Sequence, residues 1–380
     1  MSYVDILRKL VEFPSYEPEG IHKCAEFLSS ELSRAGFRVA VDKLDNIYGT
    51  REFALGNGTF LFETNFDTAA STANWTRNPL CLSDEGDRLY GLDTSTKGGI
   101  AAVLQVLKDL GECRFRKLEV LFSNFEHAPA VLDGKRLAEQ SGTQYFLAHN
   151  KLEARIGINL NATVQGDRFI VSLGCGGRVG FTVTTIGKQA HTMEPSWRTL
   201  GHNAIYDMMK VIEALRRMPP ARMAIEDHEV WTELNVSMIE GGTAINVVPS
   251  ECKITCERRV LPNEDWDEVK KEVENALRTL RDIEFKVYYF PPSRSYLIDR
   301  GNLAVTLGVD SVQHALRYTP KLKVDAGRTD ATYLDQMGGV KTVIMGPGDP
   351  FVEHKPDEYV SAKRIEEFSR IMRHMLTKNP

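Results

Sequence analysis

The stretch Thr59–Asp67, TFLFETNFD, decides how the first part of this 380-residue chain is interpreted. Its run Thr59–Glu63 is almost continuously apolar, which is typical of a strand buried on both faces of a sheet. The same pattern predicts two further buried strands, at Leu118–Phe122 and Ile156–Leu160. Helical patterns stand before and between these runs, at Ser2–Phe13, Gly20–Ala35 and Ile100–Leu110.

Strands that alternate with helices predict a mostly parallel sheet that is covered on both faces. In such sheets, ligands bind beyond the carboxyl ends of the strands. Polar residues that follow the predicted strands are Asp67, Glu126, His127 and Asn161. We therefore expect a functional site at this edge of the sheet.

The pattern changes near Gly176. From there the order is strand, helix, two strands, helix and strand, which is the ferredoxin-like order of an α+β domain. The proline pair Pro291–Pro292 marks a return to the first sheet. The predicted class is α/β, with a large domain formed by residues 1–177 and 291–380 and a small inserted domain formed by residues 178–290.

The bulk composition is that of an ordinary globular protein, with 42% hydrophobic and 26% charged residues. The net charge is −5 and no long run has one sign, so neither nucleic acid nor a membrane is an expected partner. No apolar stretch approaches the ~20 residues of a membrane span, and no signal-peptide core is visible. The six scattered cysteines lack a Cys-x-x-Cys pair and are typical of free thiols in a reducing cytoplasm.

Seven short motifs stand in order along the chain, and together they are far more specific than any one alone. They are LFETNFDTAA (61–70), STKGGIAA (95–102), LFSNFEH (121–127), GKQAHT (187–192), AINVVPSE (244–251), GRTDAT (327–332) and GPG with EHKPDEYVS (346–348 and 353–361). Over essentially its whole length the chain resembles the dinuclear-zinc amidohydrolases and exopeptidases, the family of carboxypeptidase G, aminoacylase, acetylornithine deacetylase and succinyl-diaminopimelate desuccinylase. The resemblance implies a phosphorylase/hydrolase-like sheet sandwiched by helices, with the small domain as a lid and dimerisation domain. A homodimer through that domain is therefore expected.

In that family five protein ligands hold two zinc ions, and this chain departs from the pattern at three of them. The His of the family's His-x-Asp segment falls on Asn65, while its Asp falls on Asp67. The Asp that bridges both ions falls on Ser95, and a later acidic ligand falls on Asn161. Zinc needs three or four good nitrogen, sulfur or carboxylate donors, and amide and hydroxyl oxygens are poor substitutes. A two-zinc centre is therefore not expected.

The remaining positions keep ionisable groups. The resemblance places the general base on Glu126, a metal-ligand position on His127 and the C-terminal ligand on His354. No cofactor is expected, and the alternative is a single zinc or other divalent ion on His127 and His354, helped by Glu126 or Asp93. A metal lowers the pKa of bound water from about 15.7 to about 7. A general base alone contributes roughly 10²–10⁴-fold, so ordinary amide hydrolysis should be slow or absent.

The resemblance also implies residues that bind a substrate. His191 corresponds to a small-domain His that steadies the carbonyl oxygen, and Asn246 and Arg259 correspond to residues that hold the substrate carboxylate. Arg offers the planar fork that suits a carboxylate, although Arg259 taken alone fits a solvated strand arginine equally well. Gly327 and Thr329 correspond to a C-terminal substrate loop.

Three functional hypotheses follow. The first is an enzyme that binds a small amino-acid-derived or N-acylated carboxylate and performs metal-independent acyl transfer, condensation or rearrangement. Its catalytic residues would be Glu126, His127, Asp67, His191 and His354. The second is a catalytically silent protein that keeps the ligand site, and the third is a hydrolase with one metal ion.

Overall fold

The computed structural model describes residues 1–70, 74–126, 131–132, 135–136, 141–193, 200–226 and 228–377. The chain divides into two compact units. The large unit consists of Met1–Gly174, Ile298–Lys323 and Thr329–Pro380, and the small unit of Cys175–Leu297 and Val324–Arg328. The assignment of a catalytic-type domain and an inserted lid domain stays a prediction.

Many of the helices begin at a residue whose side chain caps the first turn. Ser2 accepts a hydrogen bond from the Asp5 amide, and the Asp5 carboxylate accepts one from the Ser2 amide. The helices in chain order are α1 (Tyr3–Glu12), α2 (Pro18–Arg34), α3 (Thr94–Lys108), α4 (Gly142–His149), α5 (Ala204–Arg216), α6 (Trp266–Arg278), α7 (Leu303–Leu316), α8 (Ala331–Gln336) and α9 (Ala362–Leu376). Among the described residues, no helix is both long and apolar enough to span a lipid bilayer.

The strands vary from two to ten residues. In chain order they are β1 (Arg38–Val41), β2 (Ile47–Glu52), β3 (Thr59–Asn65), β4 (Ser83–Glu85), β5 (Arg88–Tyr90), β6 (Lys117–Ser123), β7 (Val131–Leu132), β8 (Lys135–Arg136), β9 (Ile156–Asn159), β10 (Val164–Gln165), β11 (Arg168–Cys175), β12 (Gly177–Ile186), β13 (Ala221–Ile225), β14 (His228–Thr232), β15 (Leu234–Gly241), β16 (Glu251–Val260), β17 (Phe285–Tyr289), β18 (Tyr296–Leu297), β19 (Lys321–Asp325), β20 (Lys341–Ile344) and β21 (Tyr359–Ser361).

The main sheet of the large unit has the strand order β1, β2, β6, β3, β9, β20, β11, β10. The central strands β6, β3, β9 and β20 are parallel, whereas the strands beyond them pair in antiparallel fashion. Every residue of β3 is buried, as expected for a central parallel strand. Leu61 and Leu121 from one face of this sheet pack with Phe146 of α4 and Leu334 of α8. The predicted α/β class is confirmed, with antiparallel strands added to the parallel centre.

The small unit contains an antiparallel sheet with the strand order β15, β16, β12, β17. This is the strand arrangement of the ferredoxin-like fold that the order of elements predicts. Its core combines alternate residues of β12 and β16 with the inner faces of α5 and α6. Cys252 and Cys256 both lie in this core, and all six cysteines of the chain are free thiols.

A helix start and a hairpin are among the features that differ from the sequence-based expectation. The helix predicted from Ile100 begins at Thr94, so the residues before the glycine pair form its first turn. The hairpin β13–β14 was not predicted, because its strands are short and half exposed. The Asn263 side chain fixes the hairpin by donating to the Arg222 carbonyl oxygen.

Candidate functional site

The carboxyl ends of the parallel strands lie side by side at one edge of the large unit's sheet. Asn65, the last residue of β3, is in register with Ser123 of β6. Glu63 of β3 is in register with Asn159 of β9. The segments that carry the predicted site residues therefore leave the sheet at the same edge.

Asp67 connects two of these segments. Asn65 Nδ2 donates to the Asp67 carbonyl oxygen at 3.0 Å and lies 3.5 Å from Asp67 Oδ1. The same Oδ1 accepts the Glu126 backbone N–H at 3.2 Å. Asp67 and Asn65 are both buried. The Asp67 carboxylate thus fixes the backbone of the candidate general base.

A tight turn directs Glu126 into this position. The preceding Phe125 has φ +60°, a left-handed conformation that is uncommon for a bulky residue. The Asn124 side chain stabilises the turn by accepting the Phe125 N–H at 2.8 Å. Glu126 itself is half-buried, and its neighbour His127 lies outside the described residues.

Glu358 joins the first turn of α3 to the C-terminal histidine. Its Oε1 accepts the Ser95 N–H at 3.1 Å, and its Oε2 accepts the His354 N–H at 3.3 Å. A carboxylate at a helix N-terminus is stabilised by the free N–H groups and by the helix dipole. Ser95, the position of the family's bridging Asp, and His354 are therefore held by one buried carboxyl group.

A buried lysine lies near Asp93, which precedes the first turn of α3. Lys97 is fully buried, and its Nζ donates to the Leu92 carbonyl oxygen at 3.3 Å. Burial raises the pKa of Asp93 well above its ordinary range, an effect that the Lys97 charge opposes and the Glu358 charge reinforces. Burial also raises the pKa of Glu358. The pocket thus contains one buried positive group among buried carboxyl groups.

A glycine-rich loop, residues 346–348, lies against Asn161 and Ser95. A Cβ on Gly346 would lie 2.4 Å from the Asn161 carbonyl oxygen, and one on Gly348 would lie 2.6 Å from Ser95 Cβ. Only glycine allows the backbone to approach so closely. The Asn161 side chain turns back on its own chain, where Oδ1 accepts the Ala162 N–H at 2.9 Å.

These donors do not fit two zinc ions. Asn65 directs its amide nitrogen toward Asp67, Asn161 uses its amide oxygen within its own turn, and Ser95 offers only a hydroxyl. Within the described ranges, no group of three or more His, Cys, Asp or Glu side chains is arranged to hold a metal ion. His354 lies within those ranges and His127 does not.

In the small unit, the structure brings His191 and Asn246 together. Asn246 Nδ2 lies 3.5 Å from His191 Nε2. The Met193 N–H donates to His191 Nδ1 at 2.9 Å, so the neutral ring carries its proton on Nε2. Both side chains are exposed. His191 can therefore act as a hydrogen-bond donor toward a ligand.

The other predicted binding residues, Arg259, Gly327 and Thr329, differ in burial and in their hydrogen-bond partners. Arg259 is half-buried, and its Nε lies 2.7 Å from Glu257 Oε1. The adjacent Arg258 points the other way, is buried and pairs with Glu264 at 2.6 Å. Gly327 is exposed and its carbonyl oxygen accepts the Gly176 N–H in the small unit. In the large unit, the buried Thr329 caps the start of α8 by accepting the Ala331 N–H at 3.3 Å.

Sequence reasoning did not identify the role of Glu358. Glu358 lies four residues after His354 in the motif EHKPDEYVS, and this spacing was the available signal. Sequence reasoning also gave Glu63 no functional or structural role. It is fully buried in β3, where it accepts the Asn159 Nδ2 at 2.6 Å, and an acidic residue in an apolar run was its signal.

Comparisons with known proteins agree with this architecture. Residues 173–282 match the family described as the peptidase dimerisation domain. An acetylornithine deacetylase from Buchnera aphidicola subsp. Schizaphis graminum is 22% identical, with 99% of this chain and 97% of that protein covered. The acetylornithine deacetylase of Salmonella paratyphi B is 23% identical, with 96% and 94% covered.

Solved structures share the fold at low sequence identity. An M20 family metallo-carboxypeptidase from Sulfolobus solfataricus superposes with a TM-score of 0.82 at 18% identity, with 99% of this chain and 98% of that one covered. Human carnosine dipeptidase 1 gives a TM-score of 0.73 at 14% identity, with 98% and 95% covered. Together with the ordered motifs, the matched dimerisation domain and these full-length likenesses support the M20 family of amidohydrolases and exopeptidases as the family that this chain resembles.

Proposed function

We propose that this chain is a deacylase-like enzyme that binds a small amino-acid-derived or N-acylated carboxylate and acts on it without paired zinc ions. The observation that carries the proposal is the donor set at Asn65, Ser95 and Asn161, whose side chains supply amide and hydroxyl groups where the family has zinc ligands. Relatives across the whole chain are named acetylornithine deacetylases, which supports an N-acyl amino acid as the substrate class.

Without a metal-activated water, the chemistry requires a better nucleophile than water at neutral pH. Acyl transfer satisfies this requirement. An amine or hydroxyl of a second substrate forms a bond to the acyl carbon while the C–N bond of the donor amide breaks. Glu126 takes the proton from the attacking group and returns it to the leaving nitrogen, so the reaction is balanced without water. Condensation or rearrangement of the same substrate class would use the same base.

The small unit supplies donors of the kind that such a substrate requires. The neutral His191 ring has an Nε2–H for the acyl oxygen, which gains negative charge as the bond forms. Asn246 beside it and Arg259 offer N–H groups for a carboxylate. His354, held in the large unit by Glu358, is a second candidate acid or base.

A hydrolase with one metal ion is the second candidate, and the carboxyl groups of the pocket favour it. Asp93 and Glu358 are buried close to one another, and Lys97 is the cation beside them. His354 and His127, with Glu126 or Asp93, would be the ligands of a zinc or other divalent ion. Bound there, the ion would supply a Lewis acid and activate water.

Metal analysis of protein purified without chelator distinguishes these functions. We expect less than one equivalent of tightly bound metal. One equivalent, lost on His354→Ala, would favour the hydrolase with a single ion, and two equivalents would overturn the proposal. Turnover of N-acyl amino acids with an added amine acceptor should fall about 10²–10⁴-fold in Glu126→Gln while binding persists. Binding without any turnover in the unaltered chain would indicate a silent binding protein.

A homodimer through the small unit is part of the same proposal. β15 is the edge strand of its sheet in the described chain, and Met238 and Ile239 on it are 55% and 60% exposed. Met209 on the neighbouring α5 is 63% exposed. Unpaired edges that carry apolar residues favour pairing with a second chain. Sedimentation should show a dimer for the unaltered chain and a monomer for Met238→Asp, and a monomer in both would refute the dimer. The cytoplasmic location stays a prediction.

A further inference from the structure

A backbone bridge closes the base of the segment that carries His191. The Lys188 N–H donates to the His202 carbonyl oxygen at 2.8 Å, and the His202 N–H donates to the Lys188 carbonyl oxygen at 2.9 Å. Reciprocal bonds of this kind fix the relative position of the two chain segments. A second bridge pairs His191 with Val247, so the segment is held at two places, and His202 supplies the one at its base.

The His202 side chain extends this bridge to helix α5. Its Nε2 forms a short hydrogen bond with Asp207 Oδ2. Asp207 lies in the first turn of α5 with a side chain only 3% exposed, whereas the His202 side chain is 53% exposed. Lys210 Nζ lies 3.6 Å from the other Asp207 oxygen. Because Asp207 is buried and lies on a helix, it is the fixed end of its hydrogen bond with His202.

The His191 side chain has only exposed partners among the described residues. It is itself exposed, and its ring contacts are the Met193 N–H at Nδ1 and Asn246 near Nε2. Both partners are exposed as well. The direction of the Nε2–H is thus set by the backbone path rather than by packing.

We propose that Asp207 and His202 are positioning residues that hold the His191 segment, so that His191 presents its Nε2–H in one direction. The inference rests on the function proposed above, because it assigns His191 the role of a donor to substrate. Asp207 fixes the His202 ring, His202 fixes Lys188 through the backbone bridge, and the bridge fixes the segment that continues to His191. Neither residue of the pair contacts substrate.

Amide hydrogen exchange on the full chain tests directly whether Asp207 and His202 hold the His191 segment. His202→Ala removes the ring, whereas His202→Gln keeps an N–H donor close to the place of Nε2. Lys210→Ala is the matched control, since it removes the other partner of Asp207 and leaves the bridge intact. We expect exchange over residues 187–193 to become about ten-fold faster in His202→Ala. Loss of a hydrogen bond to a charged group makes local opening of the backbone more favourable by roughly that factor. His202→Gln should restore slow exchange, and Lys210→Ala should behave like the unaltered chain.

The proposal is overturned if His202→Ala leaves this exchange unchanged, or if Lys210→Ala speeds it equally. With a substrate that is turned over, His202→Ala should lower kcat and leave KM within about two-fold. The reason is that a misplaced His191 loses its hydrogen bond to the acyl oxygen mainly in the transition state. A fall in binding with kcat kept would also overturn it. The exchange measurement needs no substrate. If the unaltered chain shows no turnover but His202→Ala speeds exchange, the proposed function is refuted and the positioning role of Asp207 and His202 stands. If His202→Ala is active and exchanges normally, the positioning role alone is refuted.

Discussion

The pocket at the strand ends of the large unit and the His191 segment of the small unit use polar residues in opposite ways. In the pocket, Asn65, Ser95 and Lys97 are buried. In the small unit, by contrast, His191 and Asn246 are both exposed. One region buries its polar side chains, and the other presents them at the surface of its unit.

This difference indicates how the buried polar residues at the strand ends are stabilised. A buried polar group is tolerated only when it is hydrogen-bonded or paired. Glu358 accepts hydrogen bonds from the backbone N–H groups of Ser95 and His354, and Asp67 accepts one from that of Glu126. Side chains of this region therefore hold its backbone segments in place. Substitutions in the pocket should therefore affect stability, whereas substitutions in the His191 segment should affect ligand binding and chemistry.

Lys97→Met should have the largest effect on stability. Lys97 is fully buried and its charge favours the ionised form of Asp93, so its loss leaves that buried carboxyl group without a counter-charge. We expect the free energy of unfolding to fall by about 3–5 kcal/mol, as when one partner of a buried ion pair is removed. Urea unfolding at pH 7 measures the change, and the loss should be smaller at pH 5, where more of the carboxyl groups are protonated.

Lys23→Met provides the matched control for that substitution. Lys23 pairs with Glu19 at 2.6 Å, but both side chains are more than half exposed. Exposed pairs of this kind contribute about 0–1 kcal/mol. Equal losses in the two variants would show that Lys97 does not balance the charge of the pocket.

Glu63→Gln should change how stability depends on pH. Burial, reinforced by the charge of Asp330, raises the pKa of Glu63 to about 8. A raised carboxyl pKa contributes stability that is present below the ordinary value and is lost as pH rises through the folded-state value. The unaltered chain should therefore lose stability between pH 5 and pH 8. Glu63→Gln should lack that part of the loss and be more stable at pH 8, by on the order of 2–4 kcal/mol.

Thermal or urea unfolding across this pH range tests the Glu63 prediction. Glu119→Gln is the control, because Glu119 is equally buried but accepts the backbone N–H groups of Glu153 and Ala154 at 3.1 and 3.0 Å. An amide there would leave one of these donors facing another N–H, so it should destabilise the protein at every pH. Parallel pH curves for Glu63→Gln and the unaltered chain would contradict the assignment.

Gly348→Ala tests the close approach of the glycine loop to α3. The new Cβ would lie 2.6 Å from Ser95 Cβ and 2.8 Å from Ser95 Cα, so the backbone must move. Overpacking of this kind destabilises by about 1–3 kcal/mol. Gly111→Ala, where no atom lies within 4 Å of the added Cβ, should be nearly neutral in the same unfolding experiment. A neutral Gly348→Ala would show that loop 346–348 does not constrain Ser95.

The sequence predicted the fold because its periodicities are local. The apolar run of β3 and the order of elements in the small unit each predict their structures without distant contacts. The sequence also placed Asp67 and Glu126 at the ends of neighbouring strands, since parallel strands share an edge.

The partnership of Ser95 with Glu358 could not be predicted in this way. The two residues are 263 positions apart, and their contact depends on how the C-terminal segment returns to the sheet. The early start of α3 has the same origin. Threonine and serine at residues 94–96 have modest helix propensity, and a distant carboxylate stabilises the first turn they form.

His191→Gln should have the smallest effect on stability and thereby completes the comparison of the two regions. The exposed ring contributes little packing, so the free energy of unfolding should stay within about 0.5 kcal/mol of the unaltered value. Turnover should nevertheless fall, because glutamine cannot keep both the Met193 contact at Nδ1 and a donor at Nε2. Urea unfolding and a rate measurement on the same preparation separate these effects. A loss of stability as large as that of Gly348→Ala would show that His191 is structural, and the contrast between the buried region of the large unit and the exposed donor of the small unit would not hold.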